Sequence, residues 1–444
     1  MLRYRGASSV VQVAERYGWE DEETEGLLNE LCERGEVVFQ EGRYYHAVLY
    51  QRARTRTVKN RREEIATVEP AAYAALLLSR MQRQAPPEEC VRAALSLFAG
   101  AAFPAAAWEE YLLPSRVKGY RESYLDAVLS EGSCFFRMEE NGRVCFEQAD
   151  RIDWDAGPQI PWDLLSEQET RMTEALSKRG ASFAQALGSV LDGEPVYDVL
   201  LSLVEKGIVC ADSFVPVRHV LQRGSLQKAN ARRRFGAHKK LMQAGRFELV
   251  RAAKPLTVKE QMERCFDRYL ILCRETAAAF GLSWQEALSV LRVAEYTGEV
   301  RRGYFVRGLS GAQFIRAKDF ESVTALLRRP LTETVWVHAA DPLQPWGKLL
   351  THEDGRAFLN VTGSAVAIRG GRPVMIFEKQ GKSYSAFETA GLEDVLFLFV
   401  EEFRRGRIFT GRKRIVVKEY LQDLAAVFEK CGFVKEIRDY VLYR

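Results

Sequence analysis

One local pattern occurs four times in this chain, and it restricts the fold more than any other feature. A short helical stretch and a turn lead into a longer amphipathic helix. That helix runs out at a glycine, and strand-forming residues follow at once. The first copy reads SSVVQVAERYG, then DEETEGLLNELCERGEVVF. Its Val10, Val13, Ala14 and Tyr17 share one helical face, and Leu27, Leu28 and Leu31 share another, ahead of Gly35. VVFQEGRYYHA then reads as a hairpin turning at Glu41-Gly42. The second copy ends YRESYLDAVLSEGSCFFRMEENGRVCFE, with Asn141-Gly142 as a hairpin turn. The third ends GEPVYDVLLSLVEKGIVCAD, and the fourth is ETAAAFGLSWQEALSVLRVAEYTGEVRRGYFVRG. The helix-ending glycines are Gly35, Gly132, Gly207 and Gly298, spaced by 97, 75 and 91 residues. Such irregular spacing argues against a solenoid and for separate small domains.

A helix-turn-helix followed by a β-wing is the layout of a winged helix. The pattern predicts an α+β chain of tandem winged helices over residues 1–62, 63–160, 161–222 and 257–330, with a basic linker at 223–256. From about residue 331 the periodicity shortens. TVWVHA, AFLNVTGSAVAIRGGRPVMIFEKQGKSYSAF and RIVVKEY read as strands, with turns at Gly370-Gly371 and Gln380-Gly381. LEDVLFLFVEEFRRG is a helix, and FVKEIRDYVLYR closes the chain as a basic strand or hairpin. Residues 331–444 are therefore expected to form a β-rich, barrel-like domain.

Charge separates the chain into halves. Residues 1–212 hold 24 Lys and Arg against 35 Asp and Glu; residues 213–444 hold 40 against 25. Such asymmetry suggests that the second half meets a polyanion, or that it docks on the acidic half. The first copy's second helix is acidic and would repel phosphate. The fourth copy's wing, GEVRRGYFVRGLSGAQF, carries Arg301, Arg302 and Arg307 around Tyr304 and ahead of Gln313, which makes these residues the DNA-contact candidates. Strand alternation sends Tyr304 and Val306 to one face and Phe305 to the other. Residues 213–247 contain nine cations and no Asp or Glu, among them Arg218, Arg223, Arg232, Arg233, Arg234, Lys239, Lys240 and Arg246. This is either a loop that orders on nucleic acid or a solvated linker.

Several chemistries are excluded. Gly381-Lys382-Ser383 lacks the earlier glycine of a phosphate loop and has no following helix N-terminus. THED (351–354) lacks the second histidine of a zinc protease. The eight cysteines form no C-x-x-C pair, and there are only five histidines, a poor inventory for a metal. No cofactor is called for. No window of 18 apolar residues predicts a membrane span, and the start lacks the layout of a signal peptide. The expected location is the cytoplasm, at the nucleoid. One loop remains, HAADPLQPWGKLL (338–350). It is expected to display Asp341 and Trp346, a carboxylate and an aromatic that a base-excising enzyme could use. The same residues also fit an Asp-Pro turn with Trp346 packed beneath it.

Taken in order, GEVRRGYFVRGLSGAQF, AADPLQPWG and AVAIRGGRPVMIFEKQGKSYSAF resemble the C-terminal region of the large helicase-related (Lhr) proteins, bacterial superfamily 2 DNA helicases. RTVKNRREEIATVEPAAYAALL, YLLPSRVKGYRESYLDAVLSEG, GIVCADSFVPVRHVL and GRFELV fit collinearly. The resemblance implies tandem winged helices followed by a β-barrel-like domain, kinship with AlkZ-type DNA glycosylases, oligomerisation, and uracil-DNA glycosylase activity. It also implies a helicase motor as a partner, in cis or in trans. In the family's loop, Asp341, Pro342, Pro345 and Gly347 match, while Trp346 replaces a tyrosine. The Gln-x-Gln or Gln-x-Asp pattern of AlkZ enzymes has no clear copy here, and Asp439 is a second candidate carboxylate. The abrupt opening at Met1 suggests a fragment of a longer helicase or a standalone homologue. Two functional readings stand: a DNA-repair glycosylase acting without ATP, and a non-catalytic scaffold that binds DNA and a helicase partner. A transcription regulator is a weaker third.

Overall fold

A computed structural model describes every residue of the chain except 54–66, 82–83, 140, 192–195, 228–244, 354 and 419–424. The chain divides into two compact units: residues 1–67 with 302–305, and residues 68–301 with 306–444.

The first unit opens with α1 (Val10–Tyr17) and α2 (Asp21–Glu33), followed by the hairpin β1 (Val37–Gln40) and β2 (Arg43–His46). Helix α1 begins where it does because Ser9 and Gln12 close a capping box, each side chain serving the other's backbone N–H. The hairpin turns at Glu41 (φ 51°) and Gly42 (φ 74°), a pair of positive angles that matches the twist of the flanking strands. Val13, Leu28, Val37 and Tyr44 make a small core. The expected apolar faces are only partly buried: Leu27 is exposed, and Tyr17 leaves the core to stack on Trp19.

The second unit starts with α3 (Pro70–Ser79), in which Ala71 through Leu78 are all buried. A helix that is apolar all round is surrounded by protein. A three-stranded module follows: α4 (Pro87–Leu97), β3 (Phe103–Pro104), α5 (Glu122–Ser130), β4 (Cys134–Met138) and β5 (Arg143–Gln148), in sheet order β3-β5-β4. The next module repeats it with α6 (Glu167–Arg179), β6 (Ser182–Phe183), α7 (Val196–Glu205), β7 (Val209–Ala211), α8 (Val215–Gln227) and β8 (Arg246–Leu249), in order β6-β8-β7. A further module is all helix before its wing: α9 (Val258–Tyr269), α10 (Arg274–Phe280) and α11 (Trp284–Thr297), then β9 (Val300–Gly303) and β10 (Gln313–Arg316), then α12 (Phe320–Arg328). The glycines that end the four repeated helices have φ of 72°, 71°, 70° and 82°, left-handed values that L side chains resist.

Two expectations change here. The expected linker at 223–256 contains a strand of the third module: β8 (Arg246–Leu249) is the middle strand of that module's sheet, with Ala211 opposite Phe247. Asp212 accepts from Arg246 N (2.8 Å) and Arg246 Nε (3.0 Å).

The C-terminal part is not a closed barrel among the described residues. It holds an open antiparallel meander of β11 (Thr334–His338), β12 (Ala365–Arg369), β13 (Arg372–Glu378) and β14 (Ser383–Ala386). After α13 (Leu392–Arg404), a separate sheet is built from β15 (Arg414–Val417), β16 (Val434–Glu436) and β17 (Asp439–Tyr443), with α14 (Ala425–Lys430) between its first two strands and order β15-β17-β16. Trp336, Phe377, Phe399 and Phe403 share a core with Phe428 and Tyr440, so α13 covers the apolar sheet face that barrel closure would otherwise have buried.

Candidate nucleic-acid interface

The basic stretch of the fourth wing is strand only as far as Gly303. Arg301 and Arg302 are exposed on β9, and the Arg301 guanidinium lies 4.3 Å from the Phe320 ring centre, a stacked position that holds its plane. Tyr304 is 63% exposed and Phe305 is buried, as the alternation requires. Val306 departs from it. It is buried and forms a parallel bridge with Val68, while Arg307 N donates to Val68 O (2.9 Å). Residues 306–309 are thus a strap rather than a continuing strand. Arg307 is exposed, but its guanidinium pairs with Glu69 at 2.7 Å, so its charge is already partly met.

Gln313 does not face solvent. It is 1% exposed; its Nε2 donates to Val306 O and Leu309 O, and its Oε1 accepts from Val306 N. It braces the strap, so the structure corrects its reading as a DNA contact. Among the cations of residues 213–247, Arg218 sits inside a network with Glu109 and Asp126, both at 2.8 Å. Arg223 meets Glu205, and Arg246 meets Asp212. Arg232, Arg233, Arg234, Lys239 and Lys240 lie outside the described residues.

The loop after β11 holds its side chains inward. Asp341 is fully buried, and both its oxygens accept from Arg116, Nη1 to Oδ2 at 2.8 Å and Nη2 to Oδ1 at 2.9 Å. Oδ1 also accepts from Leu343 N. Burial alone would raise this carboxyl, but Arg116 and the Leu343 amide outweigh it and hold the group below the usual carboxylate range. Trp346 is also fully buried, its Nε1 donating to Gly371 O at 2.8 Å. The expected display of a carboxylate and an aromatic is therefore overturned, and the Asp-Pro turn with Trp346 beneath it is what the chain forms. Gln344 fastens the turn by donating to Ala339 O, Trp346 O and Asn360 Oδ1. Lys348 leaves its stem exposed and tucks its ammonium against Ala339 O and Asp341 O, where desolvation lowers it to about 8. Asp439 is different: it is half-buried at the start of β17, opposite Glu436.

His338, at the end of β11, stacks flat on Tyr111 with ring centres 4.1 Å apart. Burial lowers it to about 4. A neutral buried histidine stabilises the fold fully above its unfolded value of about 6.5 and loses that contribution as pH falls towards its folded value. Urea unfolding between pH 7 and 4 should therefore show a stability loss of about 3 kcal/mol from this group. His338→Phe, which keeps the stack, should flatten that part of the profile. An unchanged profile in the variant would remove His338 from the acid response.

Sequence reasoning missed Arg116 altogether. It lies 225 residues from Asp341, and its only local sign is a lone cation in an apolar surrounding, YLLPSRV.

Among the described residues no group of three or more His, Cys, Asp or Glu could hold a metal, and no helix is long and apolar enough to cross a membrane.

Models of the large helicase-related protein winged-helix domain match residues 68–149 and 252–335. The Lhr helicase/uracil glycosylase of Escherichia coli is 26% identical over 450 residues, 86% of this chain and 29% of its own length. The Lhr helicase/probable uracil glycosylase of Mycolicibacterium smegmatis is 26% identical over 438 residues, 87% of this chain and 29% of its own. The chain thus spans less than a third of either relative. Among solved structures, the DNA glycosylase AlkZ of Streptomyces sahachiroi aligns with 78% of this chain and 97% of its own at a TM-score of 0.43 and 14% identity. Two winged-helix domains and two alignments along most of the sequence identify this chain as a relative of the large helicase-related proteins.

Proposed function

We propose that the chain is a DNA-processing module that grips DNA through tandem winged helices, the first and third helix–hairpin modules included, and hydrolyses the N-glycosyl bond of a damaged nucleotide such as uracil without ATP. The observation that carries the reading is the exposed pair Arg301 and Arg302 on β9, within residues 252–335 that match a large helicase-related winged-helix model. Exposed cations on a wing take phosphate contacts, which dominate nucleic-acid affinity. The names of the two relatives add uracil as the first base to test. Base excision needs a carboxylate that can stabilise positive charge on the sugar or orient the attacking water, with the base leaving as the water's oxygen bonds to the sugar carbon. Asp341 is closed off by Arg116, so Asp439, reachable from solvent, takes the role.

Charge reversal at Arg301 and Arg302 should weaken DNA binding and lower the slope of log affinity against log salt by about 0.9 for each phosphate no longer neutralised. An unchanged slope removes the wing from the interface. The intact chain should release uracil from a uracil-containing oligonucleotide without ATP, and Asp439→Asn should slow release by about 100-fold or more. Salt-sensitive binding with no base release would overturn the enzyme and leave the scaffold reading, in which the chain binds DNA and a helicase motor or a second copy.

A further inference from the structure

A cavity of about 320 Å³ is lined by the second and third modules together with Leu256 and Arg264 at the start of the fourth, and its lining includes no residue of the basic wing or of the loop of Asp341. It lies where one segment pairs with two modules in turn. After β8, Val250 N still pairs with Ile208 O (2.9 Å). The chain then crosses to the tail of the second module, where Asp153 N donates to Ala252 O (2.9 Å) and Lys254 N to Arg151 O (2.7 Å). Val250 to Ala252 span the gap, and the cavity opens beneath them.

Part of its wall is apolar, with Phe135, Phe136, Ile152, Trp154 and Leu249. Trp154 is 49% exposed, yet it is held in place. Its Nε1 donates to Ala149 O, its ring meets Phe135 edge-on at 5.5 Å, and the Arg251 guanidinium lies 5.6 Å from the ring centre. Arg251 is fixed in turn by donating to Trp154 O and Ala156 O. Half of the braced Trp154 remains exposed, and exposed aromatic surface of this kind supports stacking. Gly100 lines another wall; a Cβ there would sit 3.0 Å from Arg264 Nη1, in the space that the Arg264–Glu147 ion pair now fills.

Six charged side chains also line it: Arg137, Glu147, Glu248, Arg251, Lys254 and Arg264. Glu248 lines the cavity half-buried, with its carboxyl shifted up by burial and by Asp212 against the opposing pull of Arg246 and Arg251. The two carboxyl oxygens accept hydrogen bonds, the complement of the ring N–H or exocyclic amine on a nucleobase edge. Arg137 and Lys254 stand exposed among the lining residues and carry positive charge to the rim.

The geometry points to a nucleotide-binding site: the base stacks on Trp154 and meets Glu248, while the phosphate lies at Arg137 and Lys254. The nucleotide can be a free mononucleotide or one unpaired residue of a strand, and both share this chemistry. The site does not depend on base excision.

Calorimetric titration of the full chain tests it with uridine 5′-monophosphate, adenosine 5′-monophosphate, inorganic phosphate and a short single-stranded oligonucleotide. Saturable binding of a mononucleotide, weakened about tenfold or more by Trp154→Ala and also by Lys254→Glu, supports the site and its free ligand. Binding confined to the oligonucleotide, and weakened by the same two variants, assigns the site to a strand. Phosphate binding as tight as the nucleotides, no binding of any nucleotide probe, or affinities unmoved by both variants would overturn it. Trp154 and Lys254 are exposed, so folding of the variants is expected and is checked by their melting temperatures.

Discussion

Asp341→Ala is expected to destabilise the second unit by about 3–5 kcal/mol. The carboxylate is fully buried and meets a guanidinium that is 5% exposed. Arg116 is itself committed: Nη1 also donates to Leu112 O, and its plane lies 4.6 Å from the Phe98 ring centre. Removing the carboxylate leaves that cation in an apolar surrounding with no counter-charge, and the Leu343 amide loses its acceptor. Urea unfolding at pH 7 reads the cost. Replacing both partners with apolar residues, Arg116→Met with Asp341→Leu, should recover most of it, because the isolated charge disappears along with its partner. A loss under 1 kcal/mol for Asp341→Ala would show that the pair is not a structural clasp. The group's folded value is depressed, so its contribution holds above the ordinary carboxylate range and is lost as pH falls below it.

The second large effect is expected at Gly371. Its φ is 81°, and a Cβ there would lie 1.8 Å from Ala71 O and 3.0 Å from Ala75 N. Both are backbone atoms of α3, one turn apart, so no side chain can move aside. The β12–β13 hairpin is pressed against the helix at this point, and Gly371 O also accepts from Trp346 Nε1. Gly371→Ala combines a forced separation of backbones with a left-handed angle, for a total of about 3 kcal/mol or more. Gly370→Ala is the control. It has φ 54° and nothing within 4 Å of its would-be Cβ, so only the conformational cost of about 1 kcal/mol remains. Equal melting temperatures for the two variants would remove the close approach as the cause.

Local chemistry was readable from the residues, and distant pairing was not. The glycine ends of the repeated helices and the turns at Glu41-Gly42 and Gly370-Gly371 follow from neighbouring residue types, because a positive φ is a local demand. The burial of Asp341 and Trp346 depends on Arg116 and Gly371, which no periodicity connects to them. Gln313 reads as a polar wing residue and serves instead as an internal brace, since the strap's backbone groups had to be met by some side chain. The third sheet misled the boundaries because its middle strand returns after a long interval, and sequence order hides such returns. Strand patterning alone could not distinguish a closed barrel from the open meander found among the described residues, because the face that α13 covers is apolar in either case.

That returning strand has an architectural consequence. The route from the third module to the fourth runs through β8, whose register with β7 is fixed by pairs such as Ala211 with Phe247. In sequence, the interval between these two paired strands holds six cations and no acidic residue over positions 228–244. Lengthening the connection between two strands that are already paired costs little, about 0.6 kcal/mol for each doubling. The length and charge of that interval can therefore vary in sequence while the register of β7 and β8 stays as it is.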